Sequence, residues 1–195
     1  MRRTVLPIFF FFLLSTFYIP RVIGWPAEDV QVVTDAQYFQ VAKKWIREAK
    51  TSIYVMMFEM GYYDEHSDTP SNLLVKELME AKRRGVKVEV ILEVREGEDR
   101  TTKRNRHSGK VLSEAGVEVI YDSLSQTTHA KLMIVDGRLT LIGSTNWTYY
   151  ALTNNHEASV LIRSKEVAEE MTDYFHRVKS AGSPANPKFQ IPNSK

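Results

Sequence analysis

At 195 residues with 43% apolar side chains, the chain has enough material for one domain with a sizeable core. It contains no cysteine, which excludes disulfides and cysteine-based metal sites. Its formal charge of +2 includes Arg2, Arg3 and Arg21; without residues 1–24 it keeps 23 basic residues against 24 acidic ones, so overall charge gives no argument for a nucleic-acid partner.

The first element in chain order is a targeting segment. Arg2 and Arg3 precede a largely apolar run from Val5 to Ile19, centred on Phe9 to Phe12 and closed by Pro20 and Arg21. As a helix it spans roughly 22 Å, short of a bilayer core of about 30 Å. With Val22-Ile23-Gly24 before a cut, residues 1–24 read first as a cleaved secretory signal and second as an uncleaved anchor touching the membrane through residues 5–19. Either reading places the domain outside the cytoplasm, periplasmic or secreted, and a cysteine-free chain suits an oxidising compartment.

The domain proper is expected over residues 25–180. Thr34-Asp-Ala-Gln37 is a capping box, followed by Tyr38, Phe39, Ala42, Trp45, Ile46 and Ala49 at helical spacing, with Tyr38 and Trp45 assigned to the core. Ile53 to Met57 reads as a buried strand, Tyr62 to Asp68 as a polar, acidic loop, and Thr69-Pro70 as the opening of a helix. That helix ends at Lys82, Arg83 and Arg84 before Gly85, cations suited to the negative end of a helix dipole. Val86 to Val94 is the next strand. Arg100 to Lys110 holds Arg100, Lys103, Arg104, Arg106, His107 and Lys110 without an acid, and reads as a basic loop leading to a short helix over Gly109 to Ala115. Such runs are commonly solvated, yet next to a phosphodiesterase site Lys103, Arg104 and Arg106 suit the tracking of a phosphate backbone. Val117 to Tyr121 is a strand, Ser164 caps a last helix, and the tail over 181–195, rich in Pro, Gly, Ser and Asn, is expected to be disordered.

Function concentrates in His129-Ala-Lys131-Leu-Met-Ile-Val-Asp136 and the Gly143-Ser144-Thr145-Asn146 that follows. Alternation along a strand places His129 and Lys131 on one face, with Ala130 behind them. Leu132 to Val135 is apolar at every position, as in a strand buried on both faces, and Asp136-Gly137 is a hairpin signal that returns the chain through Leu139 to Ile142 towards Ser144 and Asn146. Glu157 opens a further apolar run, Ala158 to Ile162. A neutral imidazole can attack phosphorus and form a covalent intermediate. Lys131 is a cation for the developing charge on oxygen, and Ser144 and Asn146 add neutral donors. Glu157 is expected to hold the other ring nitrogen of His129, and Asp136, at the turn, to orient backbone or Lys131. Asn146-Trp147-Thr148 also fits an N-glycosylation sequon, but a glycan there would block this site.

These residues match H-x-K-x4-D-x6-G-S-x-N at every specified position, and the chain resembles the phospholipase D superfamily over about residues 30–178, within it the small bacterial homodimeric endonuclease branch. The resemblance implies an α/β domain with a mixed β-sheet flanked by helices on both faces. It also implies a phosphodiesterase acting through a phosphohistidine, with no metal or cofactor, and Glu157 as the downstream acid. That chemistry uses two histidines, one to attack and one to protonate the leaving oxygen. His66, His107, His156 and His176 lack a Lys two residues on, so there is one motif copy, and the resemblance implies a homodimer with a shared site across a two-fold axis. Three functions stay open: an endonuclease on DNA or RNA, a lipid phosphodiesterase of the phospholipase D or cardiolipin type, and a non-catalytic phosphate-binding module.

Overall fold

The strands with the longest apolar runs, Ile53 to Met57 and Leu132 to Val135, pair with each other in the middle of one sheet. A computed structural model describes residues 24–97 and 99–185 of the chain; the apolar leader and the last ten residues lie outside them. The strands are β1 (Asp29–Thr34), β2 (Ser52–Met57), β3 (Lys87–Leu92), β4 (Glu118–Tyr121), β5 (Lys131–Val135), β6 (Leu139–Gly143), β7 (Ala158–Arg163) and β8 (Ser183–Pro184), and the helices α1 (Gln37–Glu48), α2 (Pro70–Arg83), α3 (Arg100–Glu114), α4 (Tyr149–Thr153) and α5 (Lys165–Ala181). The sheet order is β1-β7-β6-β5-β2-β3-β4-β8. β2, β3 and β4 run parallel, linked by helical crossovers, and all other pairs are antiparallel. The expected mixed α/β sheet is therefore the architecture found.

The two faces divide by residue parity. Ile53, Val55 and Met57 of β2, with Met133 and Val135 of β5, join the core that Tyr38, Ala42 and Ile46 of α1, Leu74 and Leu78 of α2 and Leu112 of α3 complete. Tyr54 and Met56, with Leu132 and Ile134, face the other way onto Ala168 and Phe175 of α5. Period-2 alternation thus assigns each residue of a doubly buried strand to one of two cores.

One buried charge sits on the α5 side. Glu89 lies almost wholly inside (1% exposed), with Lys87 at 2.6 Å and Lys179 of α5 at 2.7 Å; Lys179 also meets Glu118 at 2.6 Å. Burial pushes the Glu89 carboxyl up, but its bonds to Lys179 and Lys87 outweigh this and hold it below the usual range. Lys179→Ala removes one of its two cations and should cost about 2 kcal/mol of stability, read as a lower denaturant midpoint at unchanged slope.

Several boundaries differ from expectation. Helix α1 starts at Gln37 with Ala36 as its cap residue, so only half of the capping box forms, the Gln37 side chain accepting from the Thr34 N–H at 3.4 Å. The basic stretch is helix and not loop: Asp99 accepts from Thr102 N–H and starts α3 at Arg100, nine residues before the predicted helix. The tail is ordered further than predicted, because Ala181 ends α5, Ser183 and Pro184 pair with β4, and Ala185 N–H donates to Val119 C=O at 2.8 Å. Strand β1 and the short α4 are elements that local pattern did not indicate. Thr69 and Ser164 cap α2 and α5 as expected.

Candidate active site

The site lies where β2 and β3 end and β5 and β7 begin. His129 and Lys131 continue the face of Met133 and Val135 beyond the sheet, while Ala130 packs towards α5. Lys131 is 5% exposed, whereas His129 is open to solvent. The lysine ammonium donates to its neighbour's backbone, Nζ to His129 C=O at 2.7 Å, and stands 3.4 Å from His129 Nδ1. Phe58, just past β2, floors both groups: its ring centroid is 4.7 Å from that of His129 and 4.9 Å from Lys131 Nζ, and Arg95 approaches it at 5.1 Å. Burial pulls the Lys131 pKa down, and the nearby charge of Glu157 opposes this. A desolvated ammonium beside an open imidazole attracts an anion strongly, because little water competes for it.

The segment carrying His129 is pinned by two buried acids that sequence reading missed. Glu93 (1% exposed), beyond the end of β3, accepts from Thr128 N–H at 2.7 Å, and Asp122 (7% exposed), beyond the end of β4, accepts from the Thr128 hydroxyl. Burial pushes the Glu93 carboxyl up, with its bonds to Thr128 and Arg95 opposing. Asn105 of α3 is a third such residue. Its amide donates to Phe58 C=O and Glu93 C=O, both at 2.8 Å, and accepts from Met60 N–H at 2.8 Å. Helix α3 therefore clamps the ends of β2 and β3 beneath the site.

The second half of the motif arrives through β6. Gly143 leaves no room for a side chain, since a Cβ there would run into Ser159 and the Ala158 carbonyl on β7. Ser144 N–H donates to Ala158 C=O at 3.0 Å, and its hydroxyl donates to Glu157. Asn146 accepts from Glu59 N–H at 3.2 Å, beside Phe58. Trp147 is buried, with its indole N–H on Tyr38 Oη at 3.1 Å, so Asn146 is held by a fixed neighbour on each side.

The structure therefore brings together His129, Lys131, Ser144, Asn146 and Glu157, with two corrections. Glu157 is not seen holding His129: its carboxylate takes the Ser144 hydroxyl and, at 3.2 Å, the Asn155 amide, while His129 Nδ1 faces Lys131. Asp136 is at the far end of β5, about 16 Å of strand from Lys131. There it accepts from the N–H groups of Lys50, Thr51 and Ser52 and from the Thr51 hydroxyl, at 2.7–3.1 Å. It orients backbone, one of its two expected roles, and cannot reach Lys131.

The three basic candidates diverge around α3. Arg104 is ion-paired with Glu59 and lies 5.5 Å over the Tyr63 ring; Arg106 lies 5.4 Å over Tyr121; Lys103 lines a groove with Tyr62 and Tyr63. Among the described residues no other histidine is seen in contact with His129: His66 lines a neighbouring cleft, its N–H on Tyr63 C=O at 3.2 Å, His107 meets Asp64 at 3.2 Å, His156 stands 3.6 Å from Asp35, and His176 packs on Tyr54 and Phe175. Among the described residues no group of three or more His, Asp or Glu is placed to hold a metal ion.

Comparison with known proteins covers the same part of the chain. The family described as "Cardiolipin synthase, PLD-like domain" matches residues 42–179. A phospholipase D of Rickettsia typhi is 28% identical over 137 residues, 69% of this chain and 60% of its own length. The mitochondrial cardiolipin hydrolase of Danio rerio is 34% identical over 83 residues, 42% of this chain and 37% of its own. The chain thus spans about three-fifths or less of these curated relatives. Among solved structures, the phospholipase D family member Nuc of Salmonella typhimurium superposes with a TM-score of 0.68 at 26% identity, covering 80% of this chain and 97% of that one. NucT from Helicobacter pylori gives 0.63 at 15% identity, covering 80% and 99%, a likeness of fold alone. Since the matched region carries His129, Lys131, Ser144, Asn146 and Glu157 on a fold shared almost end to end with Nuc, the chain belongs to the phospholipase D superfamily.

Proposed function

We propose that the protein is a phosphodiesterase of nucleic acid that works as a homodimer through a phosphohistidine. The observation that carries this reading is the pair formed by an open imidazole and a buried ammonium on one strand face, with Asn146 and Ser144 beside them. Lys131 and Asn146 bind the non-bridging oxygens of a diester. A His129 ring nitrogen forms a bond to phosphorus as the bond to the leaving oxygen breaks, and His129 of the second copy gives that oxygen a proton. The same second imidazole then takes a proton from water, whose oxygen displaces the first histidine. A single chain offers no second histidine at His129, which supports the two-fold arrangement.

The direction in which the chain enters the domain favours nucleic acid over lipid. Thr34, at the end of β1, pairs with Ala158 near the site, but Asp29 pairs with Arg163 at the opposite pole, about 17 Å away along the strand. Trp25 donates to Glu170, and Ser164 donates to Pro26 C=O at 2.6 Å, so residues 25–28 are fixed at that pole against the start of α5. That entry point lies at the other end of the sheet from His129 and Lys131. We place the domain outside the cytoplasm on the sequence of residues 1–24. The lipid reading draws its support from relatives named phospholipase D and cardiolipin hydrolase.

The purified protein should cleave DNA or RNA in excess EDTA at an undiminished rate. Loss of cleavage in EDTA overturns the metal-free mechanism. Headgroup release from phospholipid vesicles with DNA and RNA left intact replaces the nucleic-acid reading with the lipid one.

A further inference from the structure

Beside the site runs a cleft that neither the catalytic groups nor the core accounts for. It encloses about 1000 Å³ between the loop after β2, the start of α3 and the start of α4, and continues into a shallower groove of about 520 Å³; both are lined by Tyr63, Arg100 and Arg104. His129 and Lys131 do not line it. It joins their site through Glu59, whose N–H holds Asn146 and whose carboxylate pairs with Arg104.

The cleft combines aromatic and charged side chains. Tyr149 and Tyr150, three and four residues after Asn146, leave 43% and 64% of their surface in solvent and meet edge to face at 5.4 Å. Tyr63 lies beside them, its hydroxyl 3.5 Å from the Tyr149 N–H and its ring under Arg104. Arg100, which lines both cleft and groove, and Lys103, which lines the groove, have no ion pair among the described residues. Glu65 and Asp68 also line the large cleft. Exposed aromatic rings beside a phosphodiester site offer flat faces to a flat ligand, and nucleobases stack on tyrosine whatever their sequence. Arg100, where cleft and groove meet, and Lys103, in the groove, attract the phosphates of a strand whose bases lie on the tyrosines.

We propose that this cleft is a base-stacking subsite, which takes unpaired bases of the substrate on Tyr149 and Tyr150 while the neighbouring phosphates follow Arg100 and Lys103. The proposal rests on the nucleic-acid reading above and narrows it to single strands, because a duplex hides the faces of its bases.

The test uses the full chain in mild detergent and three probes: a single-stranded oligonucleotide, the same strand with abasic sites replacing its bases, and the duplex. The single strand should be cut with a kcat/KM at least about tenfold above that of the duplex. Y149A/Y150A should raise KM for the single strand about fivefold or more and leave the abasic strand unchanged, whereas Y149F/Y150F keeps the wild-type KM. Equal losses on base-bearing and abasic strands overturn the subsite. So does duplex cut as fast as single strand, or an alanine effect traced by sedimentation to a broken dimer. If the wild type cuts nucleic acid and the alanine variant matches it, the subsite alone fails; if the wild type cuts no nucleic acid, the reading beneath it fails as well.

Discussion

Replacing His129 by alanine should leave less than about a hundredth of wild-type cleavage, because a covalent step loses its nucleophile and the second copy loses its general acid in the same substitution. The fold should survive: the imidazole is open to solvent, and its neighbours are the Phe58 ring and Lys131 Nζ. Lys131 should keep its place, since its 2.7 Å bond is to the backbone carbonyl of residue 129, which alanine retains. The loss therefore reports the imidazole and not a displaced cation. Mixing gives a sharper result. When wild-type and His129→Ala chains are exchanged to equal amounts, only about a quarter of the dimers hold two histidines, so activity per total protein should fall to about a quarter of the all-wild-type value. A fall to about one half would mean that each chain acts with its own histidine alone, and the shared site would be wrong. Residual activity well above a hundredth in the homogeneous variant would remove the phosphohistidine.

What the sequence disclosed and what it hid follow from how each element is stabilised. β2 and β5 bury both faces in apolar side chains, so the unbroken runs Ile53 to Met57 and Leu132 to Val135 identified them, while β3 is apolar except at Lys87 and the buried Glu89. α3 was misread because it buries Thr102, Asn105, Ser108, Gly109 and Leu112, and its contacts to the sheet ends are hydrogen bonds from Asn105 and Ser108. Small polar residues at helical spacing carry no hydrophobic signal, although their period of three to four is visible once polar contacts are sought. β1 was hidden for another reason: Val30 and Val32 are exposed, and its order comes from pairing with β7 far along the chain. At the site, residues adjacent in sequence were placed well and residues adjacent only in space were not. His129 and Lys131 follow from strand alternation, whereas Phe58, Glu93 and Asp122 come from the ends of other strands. Asp136 shows the converse, since five residues of motif spacing are five residues of extended strand and carry it away from the chemistry.

Asp136→Ala should accordingly behave as a stability variant. The wild-type carboxylate satisfies three consecutive N–H groups at the start of β2, and both Asp136 (φ 53°) and Gly137 (φ 60°) take the left-handed conformations of a tight hairpin turn, in which Arg138 N–H closes on Val135 C=O at 3.2 Å. Alanine leaves those donors without their acceptor and is poorly suited to a positive φ, for a cost of about 3 kcal/mol and a fall in Tm of about 6–12 °C. Cleavage measured well below the new Tm should stay within about threefold of wild type, because Lys131 and His129 are held at the other end of β5 and by separate partners. A loss of about a hundredfold in a folded variant would return Asp136 to the chemistry. The pH dependence gives a second check. Burial pushes the Asp136 carboxyl up, but the N–H groups of Thr51, Ser52 and Lys50 outweigh it and leave the pKa below that of a free aspartate. Its stabilisation is therefore fully present above about pH 4 and drains away as pH falls through the lowered folded value. Asp136→Asn lacks that titration, so the stability gap between it and the wild type should be widest near neutrality and narrow steadily in acid. A gap independent of pH from neutrality to about pH 2 would mean that the charge of Asp136 contributes nothing to holding the turn against β2.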